Sequence, residues 1–382
     1  MVDALKYNSK TISKKKHLLI FELMLLKHLH LTNYKNFEAK SFQFQKKVSC
    51  FIGANGIGKS NVLDAIYQLA FGKSFFNPNA SQNIRFNNDF FAIEGRFEIN
   101  NRIEKIICSL KKGEKKQLKR NDKRYDKLAD HIGLIPTVMI SPMDRDLIVE
   151  GSQIRRKFMD GIIGQTNTEF LIHLLDYQKV LAQRNALLKY FALNHTFDEK
   201  TLEVYNQQLT TLSQPLYEAR NEFIKVFLPL FNARHKFISN ELETVSLKYI
   251  SDLHTQNSKE LLEESLSHDR RLQFTSKGVH KDDLEFLIDE RPIKKFGSQG
   301  QQKTFSISLK LAQFDYLKVK TGHSPFILFD DAFDKLDENR VSKIIELTNT
   351  VDFGQIFISD THRDRTINAL EKAQASFEIF SL

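Results

Sequence analysis

Val48-Ser49-Cys50-Phe51-Ile52-Gly53-Ala54-Asn55-Gly56-Ile57-Gly58-Lys59-Ser60 is the stretch that decides the fold. Its first five residues form a compact apolar run that reads as a buried strand. The next eight satisfy G-x-x-x-x-G-K-[ST], and Ser60 to Phe71 places Val62, Ile66 and Leu69 on one helical face. Strand, glycine-rich loop and helix in that order are the setting in which backbone N–H groups curl around phosphate oxygens and a helix N-terminus faces them. The expected nucleotide contacts are Gly53, Ala54, Asn55, Gly56, Ile57, Gly58, Lys59 and Ser60. Lys59 is expected to neutralise the β- and γ-phosphates of ATP, and Ser60 to ligate Mg²⁺. The competing reading is a structural glycine-rich turn, because the pattern also arises by chance in long chains.

A second element favours the nucleotide. Phe326-Ile327-Leu328-Phe329-Asp330-Asp331 is an apolar strand ending in two acids. This form puts a carboxylate beside a metal at the end of a buried strand. Asp330 is expected to hold Mg²⁺ and Asp331 to orient or deprotonate the attacking water; the plainer alternative is two acids capping a strand. One helix earlier (Thr304 to Leu317), Phe296-Gly297-Ser298-Gln299-Gly300-Gln301-Gln302-Lys303 offers a hydroxyl and backbone donors at a helix N-terminus. This order is that of ABC-type ATPase heads. Asp334-Lys335-Leu336-Asp337 reads as an interface loop. Thr361-His362, after the apolar run Gln355 to Ile358, stands where a γ-phosphate sensor belongs, or is a solvent-exposed loop.

Around these motifs, 382 residues with 41% hydrophobic and 27% charged side chains suit a large globular chain with an insertion. The formal charge of +9 favours polyanionic partners. Lys111 to Lys127 alone carries nine lysines and arginines, read either as exposed hairpins touching DNA or as solvated surface. Only Cys50 and Cys108 occur, without metal-ligand spacing, which points to a reducing cytoplasm. Phe91 to Ile99 and Ile103 to Leu110 read as strands turning at Asn100-Asn101, and Pro136 to Ile140 as a buried strand.

Helical spacing then runs through Phe170, Leu174, Tyr177, Leu181, Leu188 and Phe191, with Arg184 at the polar position, and again from Leu202 to Leu230. Pro215 is expected to kink or divide the second series. The first helix, roughly 35 Å long at 1.5 Å per residue, makes a short antiparallel arm. Ser251 to Arg270 reads as a loop or linker. The expected architecture is an α/β P-loop NTPase lobe with a mixed sheet, formed by residues 24–135 and 270–382, and a mainly helical lobe over 136–269. Residues 1–23 are either a tail or a mis-assigned start, with Met24 the initiator. No segment approaches the roughly 20 apolar residues of a membrane span.

These elements together resemble the ABC-type heads of the SMC and Rad50 group, and within it the RecF family. Leu31-Thr32-Asn33-Tyr34-Lys35-Asn36-Phe37 is similar to the family's opening strand motif, and Asn61 to Ile66 to its post-loop helix. Ser141-Pro142-Met143-Asp144 through Gly151 and Arg155-Arg156-Lys157-Phe158-Met159-Asp160 is the most family-specific stretch. Tyr177 to Asn185, Gly278-Val279-His280-Lys281-Asp282-Asp283 and Ser298 to Gln302 match in order. Val279 and Lys281 depart from the family's common proline and arginine, and Gln299 stands where transporters have glycine.

The resemblance implies an ATP-dependent homodimer, with ATP on one subunit's loop covered by Ser298, Gly300 and Gln301 of the other and Lys35 also reaching the nucleotide. It implies catalytic roles for Lys59, Asp331, Thr361 and His362, and slow hydrolysis because Asp331 is a shorter carboxylate than the glutamate of many relatives. It implies DNA as partner, gapped or junction DNA in replication and recombinational repair, with RecO and RecR helping to load recombinase onto single strands. Arg155 and Arg156 remain open between DNA contacts, internal ion pairs and completion of the ATP site. The rival functions are a transporter's nucleotide-binding subunit and a scaffold that binds ATP without hydrolysing it.

Overall fold

The computed structural model describes residues 24–239, 243–331, 343, 346 and 353–382. The expectations for residues 1–23 and for Asp334 to Asp337 lie outside the described residues. Six antiparallel strands open the chain: β1 (Leu25–Tyr34), β2 (Phe37–Gln43), β4 (Phe90–Ile99), β5 (Arg102–Lys111), β6 (Gln117–Arg120) and β7 (Lys123–Arg124), in the order β2-β1-β4-β5-β6-β7. Asn100 and Asn101 take φ of 51° and 59°, the left-handed pair that a two-residue hairpin turn requires. Asn121 and Asp122 do the same between β6 and β7, at 49° and 66°. The alternation of β5, with Glu104, Ile106, Cys108 and Leu110 turned inward, leaves one face of this sheet to pack on the helix after the glycine-rich loop, α1 (Lys59–Phe71).

A second sheet has the order β14-β3-β13-β12-β8, with every neighbouring pair parallel. Its strands are β3 (Val48–Ile52), β8 (Thr137–Ile140), β12 (Phe326–Asp330), β13 (Ile356–Asp360) and β14 (Phe377–Ser381). The central strands β3, β12 and β13, and the edge strand β8, are buried along their whole length because both faces are covered. Phe51, Phe326, Leu328 and Phe357 point into the core under α1, and Cys50, Ile327, Phe329 and Ile358 into the core on the other side. A lobe boundary at residue 136 therefore cuts β8 away from the sheet it completes, since Phe326 to Phe329 pair with Thr137 to Ile140.

The helical part consists of α2 (Asp146–Val149), α3 (Ser152–Gly164), α4 (Thr168–Leu193) and α5 (Glu199–Ser239). α4 and α5 pack together across the turn at 194–198 and form the arm. Pro215 does not divide α5, which runs for 41 residues through both Pro215 and Pro229. Each proline removes one intrahelical bond, but Leu216, Phe223, Phe227 and Phe231 are fully buried around them and hold the helix by packing.

The Ser251 to Arg270 stretch is not a plain linker either. It forms α6 (Ser258–Glu264), capped by the Asn257 side chain, and α7 (Leu266–Leu272), because Leu261, Leu262 and Asp269 are buried there. A three-stranded sheet, β9 (Val245–Ile250), β10 (Asp283–Ile288) and β11 (Arg291–Pro292), leads through the short α8 (Ile293–Phe296) to α9 (Gln299–Thr321). α9 starts five residues before the expected Thr304 and ends at Gly322, whose φ of 75° closes it. The last helix is α10 (Arg363–Lys372). Among the described residues no helix is long and apolar enough to cross a membrane.

Candidate nucleotide site

Three parallel strands end side by side: Ile52 of β3 is in register with Asp360 of β13, and Ser359 of β13 with Asp330 of β12. Ligands of open parallel sheets collect at this carboxyl edge. The glycine-rich loop leaves β3 there and enters α1 through Gly58, whose φ of 115° is closed to ordinary side chains. A Cβ on Gly58 would stand 2.4 Å from the Asn36 amide and 2.8 Å from Phe37, so the loop passes too close to the β1–β2 turn for any other residue. No side chain caps α1, and no acid lies in its first turn, so its N-terminal amides and dipole are available to an anion. Residues 54–57 are exposed.

Lys59 is buried and its ammonium donates to the carbonyls of Gly53 and Ala54, both at 2.9 Å. The cation is thereby stored inside the loop. Asp330 is also buried and accepts the Ser359 hydroxyl at 2.8 Å. Burial pushes its carboxyl above the usual range, against hydrogen bonds from Ser60 and Ser359 and the charge of Lys59. A buried carboxylate beside a serine hydroxyl fits a hard divalent cation that takes one or two protein oxygens and fills the rest with water and phosphate. Among the described residues no group of three His, Cys, Asp or Glu side chains could form an all-protein cage. Mg²⁺ on Ser60 and Asp330 is the ion this donor set suits.

Asp331 follows at the same edge with φ of 43°, its N–H donating to the Ser359 carbonyl and hydroxyl at 3.2 and 3.1 Å. Thr361 is half-buried and His362 exposed at the start of α10, where the His362 N–H donates to Asp360. Asp360 is held in turn by Arg365 and Thr366. Both residues share the edge with the loop, since Asp360 neighbours Ile52.

Ser298, Gly300 and Gln301 lie elsewhere, at the exposed N-terminus of α9. Ser298 Oγ accepts from Gln301 N at 3.2 Å and the Gln301 side chain accepts from Ser298 N at 2.7 Å, a reciprocal capping box. The hydroxyl is held through its oxygen, which leaves its O–H available as a donor. Lys35 forms an ion pair with buried Asp64 of α1 at 2.6 Å and stands 5.5 Å from the Phe76 ring. Arg155 and Arg156 are committed internally. Arg155 forks onto Asp283 at 2.7 and 2.8 Å, and Arg156 donates to the Asp282 carbonyl.

The model for the RecF/RecN/SMC N-terminal domain matches residues 25–381. The chain is 57% identical over 359 residues to the DNA replication and repair protein RecF of Flavobacterium johnsoniae, covering 94% of this chain and all of that one. The chain belongs to the RecF family. A second RecF, from Phocaeicola vulgatus, is 45% identical over 94% of this chain and 96% of its own. The solved structure of the recombination mediator RecF-ATP in the RecFOR pathway superposes with a TM-score of 0.83 at 28% identity, covering 89% of this chain and 92% of that one. An Smc head from Pyrococcus furiosus, 16% identical with a TM-score of 0.55, shares the fold. The architecture is therefore the ABC-type ATPase head that RecF and Smc have in common.

Against this RecF frame, several residues that shape the site were missed in the sequence. Asn36 Nδ2 donates to the Ile57 carbonyl at 2.6 Å and Asn61 holds Asn36 at 2.8 Å, which ties the β1–β2 turn to the loop. Asp64 accepts from Tyr34 Oη, Ser74 Oγ and Phe75 N at 2.8, 2.6 and 2.6 Å. Ser359 orients Asp330. Asn36 and Asp64 lie inside quoted motifs, but only their distant partners reveal what they do.

Proposed function

We propose that this chain is an ATP-gated DNA-binding protein of DNA replication and recombinational repair. ATP binds at Gly53 to Ser60, with Mg²⁺ held by Ser60 and Asp330 and supplying charge neutralisation at the β- and γ-phosphates. Asp331 orients the attacking water, and Thr361 and His362 stand toward the γ-phosphate, while Lys35 stays paired with Asp64 beside the loop. The shorter Asp331 side chain keeps hydrolysis slow.

The observation that carries this reading is the meeting at one sheet edge of buried Lys59, buried Asp330 and an uncapped helix N-terminus. A second copy completes the site with Ser298, Gly300 and Gln301, a reading supported by the exposure of that helix end and by the anchoring of the serine through its oxygen, which leaves its O–H as a donor. The ATP-bound dimer closes on gapped or junction DNA and helps to load recombinase; the name of the RecFOR pathway, in which the similar structure is placed, supports action with RecO and RecR. The division into an ATPase lobe and a helical lobe belongs to the same reading, with its first boundary moved past β8.

Sedimentation of the full chain with and without ATP and Mg²⁺ tests the gate. The expected result is a shift from monomer to dimer that Lys59→Ala abolishes. An unchanged mass for the parent chain in both conditions overturns it.

A further inference from the structure

The six-stranded sheet ends in a basic edge. Of the cations in the 111–127 run, Lys111, Lys112 and Arg120 have carboxylate partners in Glu114, Asp89 and Glu104. Lys116, Lys119, Lys123 and Arg124, on β6, β7 and the loop before them, have none among the described residues. Two lysines from other elements join this end of the molecule. Lys73 follows the Gly72 cap of α1, where Gln68 of the same last turns reaches Cys108 of β5, the strand that pairs with β6. Lys157 stands exposed on α3, whose C-cap Gln165 lies against Gly133 in the segment whose Leu128 packs on Gly72, and it likewise has no carboxylate partner among the described residues.

These charges act on one another: burial first, then Lys157 and Lys116, hold the Lys73 ammonium below the usual lysine range. Three elements distant in sequence thus bring like charges together with no carboxylate paired to them among the described residues. Such a cluster is relieved by an external polyanion. Tyr125, the aromatic of the 111–127 run, is turned against His131 at 5.0 Å between ring centres, which leaves no stacking platform among the cations.

We propose that Lys73, Lys116 and Lys157, extended by Lys119, Lys123 and Arg124 along the sheet edge, form the surface that contacts the phosphate backbone of duplex DNA. This rests on the DNA-binding reading above and adds where the DNA lies. The contacts are to phosphates and carry no base sequence information.

The test is fluorescence anisotropy of a labelled duplex with the full chain and ATP, at several NaCl concentrations. Each phosphate contact adds about 0.9 to the slope of log affinity against log salt, so Lys73→Gln/Lys116→Gln/Lys157→Gln lowers the slope by about 2.7. A control with the same charge change on the arm, Lys179→Gln/Lys189→Gln/Lys200→Gln, keeps the parental slope. Both variants bind ATP and melt as the parent does. An unchanged slope in the first variant, or an equal fall in the control, overturns the site. A parent chain that binds no duplex at any salt overturns the DNA reading itself, a different outcome from loss of the site alone.

Discussion

Asp64→Asn separates the ion pair under the phosphate loop from the packing around it. The Asp64 carboxylate is fully buried on α1, one helical turn after Ser60. Four donors converge on it: Tyr34 Oη, Ser74 Oγ, Phe75 N and the Lys35 ammonium, all between 2.6 and 2.8 Å. Asparagine keeps the shape but supplies one oxygen. With that oxygen on Phe75 N, the new amide faces two hydroxyls and a cation. The hydroxyls adapt by accepting from the amide, and Tyr34 also has Gln68 Oε1 at 3.1 Å.

Lys35 cannot adapt in that way, and the loss is mainly its counter-charge. Breaking a buried pair costs about 3–5 kcal/mol. The Lys35 side chain is 14% exposed and recovers some water, which lowers the expected cost to about 2–4 kcal/mol. Urea unfolding followed by two probes measures it, provided the two transitions coincide. A double-mutant cycle with Lys35→Met is expected to give a coupling of about 2 kcal/mol. A coupling below about 0.5 kcal/mol refutes the claim that Asp64 holds Lys35.

Two further predictions concern pH and turnover. Burial lowers the His131 imidazole to about 4, so between roughly pH 6.5 and 4 the unfolded chain binds a proton that the folded chain refuses. Stability from this group is present above pH 6.5 and lost as pH falls; His131→Gln, which can keep the bond to the Leu69 carbonyl, should flatten that part of the melting-temperature profile. Asp331→Asn is expected to retain ATP and accumulate the dimer while losing hydrolysis. A parental rate of phosphate release from that variant rules out the water-positioning role.

The features most legible in the sequence are those where chemistry restricts both residue type and spacing. The glycines, Lys59 and Ser60 of the loop, the acids ending β12 and the Asn100-Asn101 turn all carry local signals. Interactions between distant segments were not legible. Arg184 interrupted an apolar series and read as a polar position, but it is fully buried against Asp269, 85 residues away. Arg220 forks onto Asp160 and also binds Asp282, again from far along the chain. Periodicity treats such arginines as surface, because their carboxylate partners leave no trace in the local pattern. The same limit hid α6 and α7, whose polar sequence is helical because Leu261, Leu262 and Asp269 find buried partners. It also misplaced β8, whose membership of the parallel sheet depends on a strand nearly 190 residues later.

The charge at the loop bears on why one chain is half a site. A triphosphate carries about four negative charges at neutral pH and Asp330 adds one, of which Mg²⁺ offsets about two and Lys59 about one; of the remaining two or so, two helix N-termini at roughly half a charge each supply about one. α1 supplies the first, uncapped and open to solvent. The described residues of the same chain carry the second kind of end at α9, exposed, its serine oxygen already fixed by Gln301. Lys35 could offset the remainder within one chain, but only by leaving buried Asp64 without its cation. That exchange breaks a buried pair, at about 2–4 kcal/mol, whereas a second copy brings its helix end already ordered. On these terms the dimer is favoured because it spares the Lys35–Asp64 pair, and Lys35→Met should leave nucleotide-driven dimerisation intact. Loss of the dimer in sedimentation with ATP would show instead that Lys35 itself completes the charge.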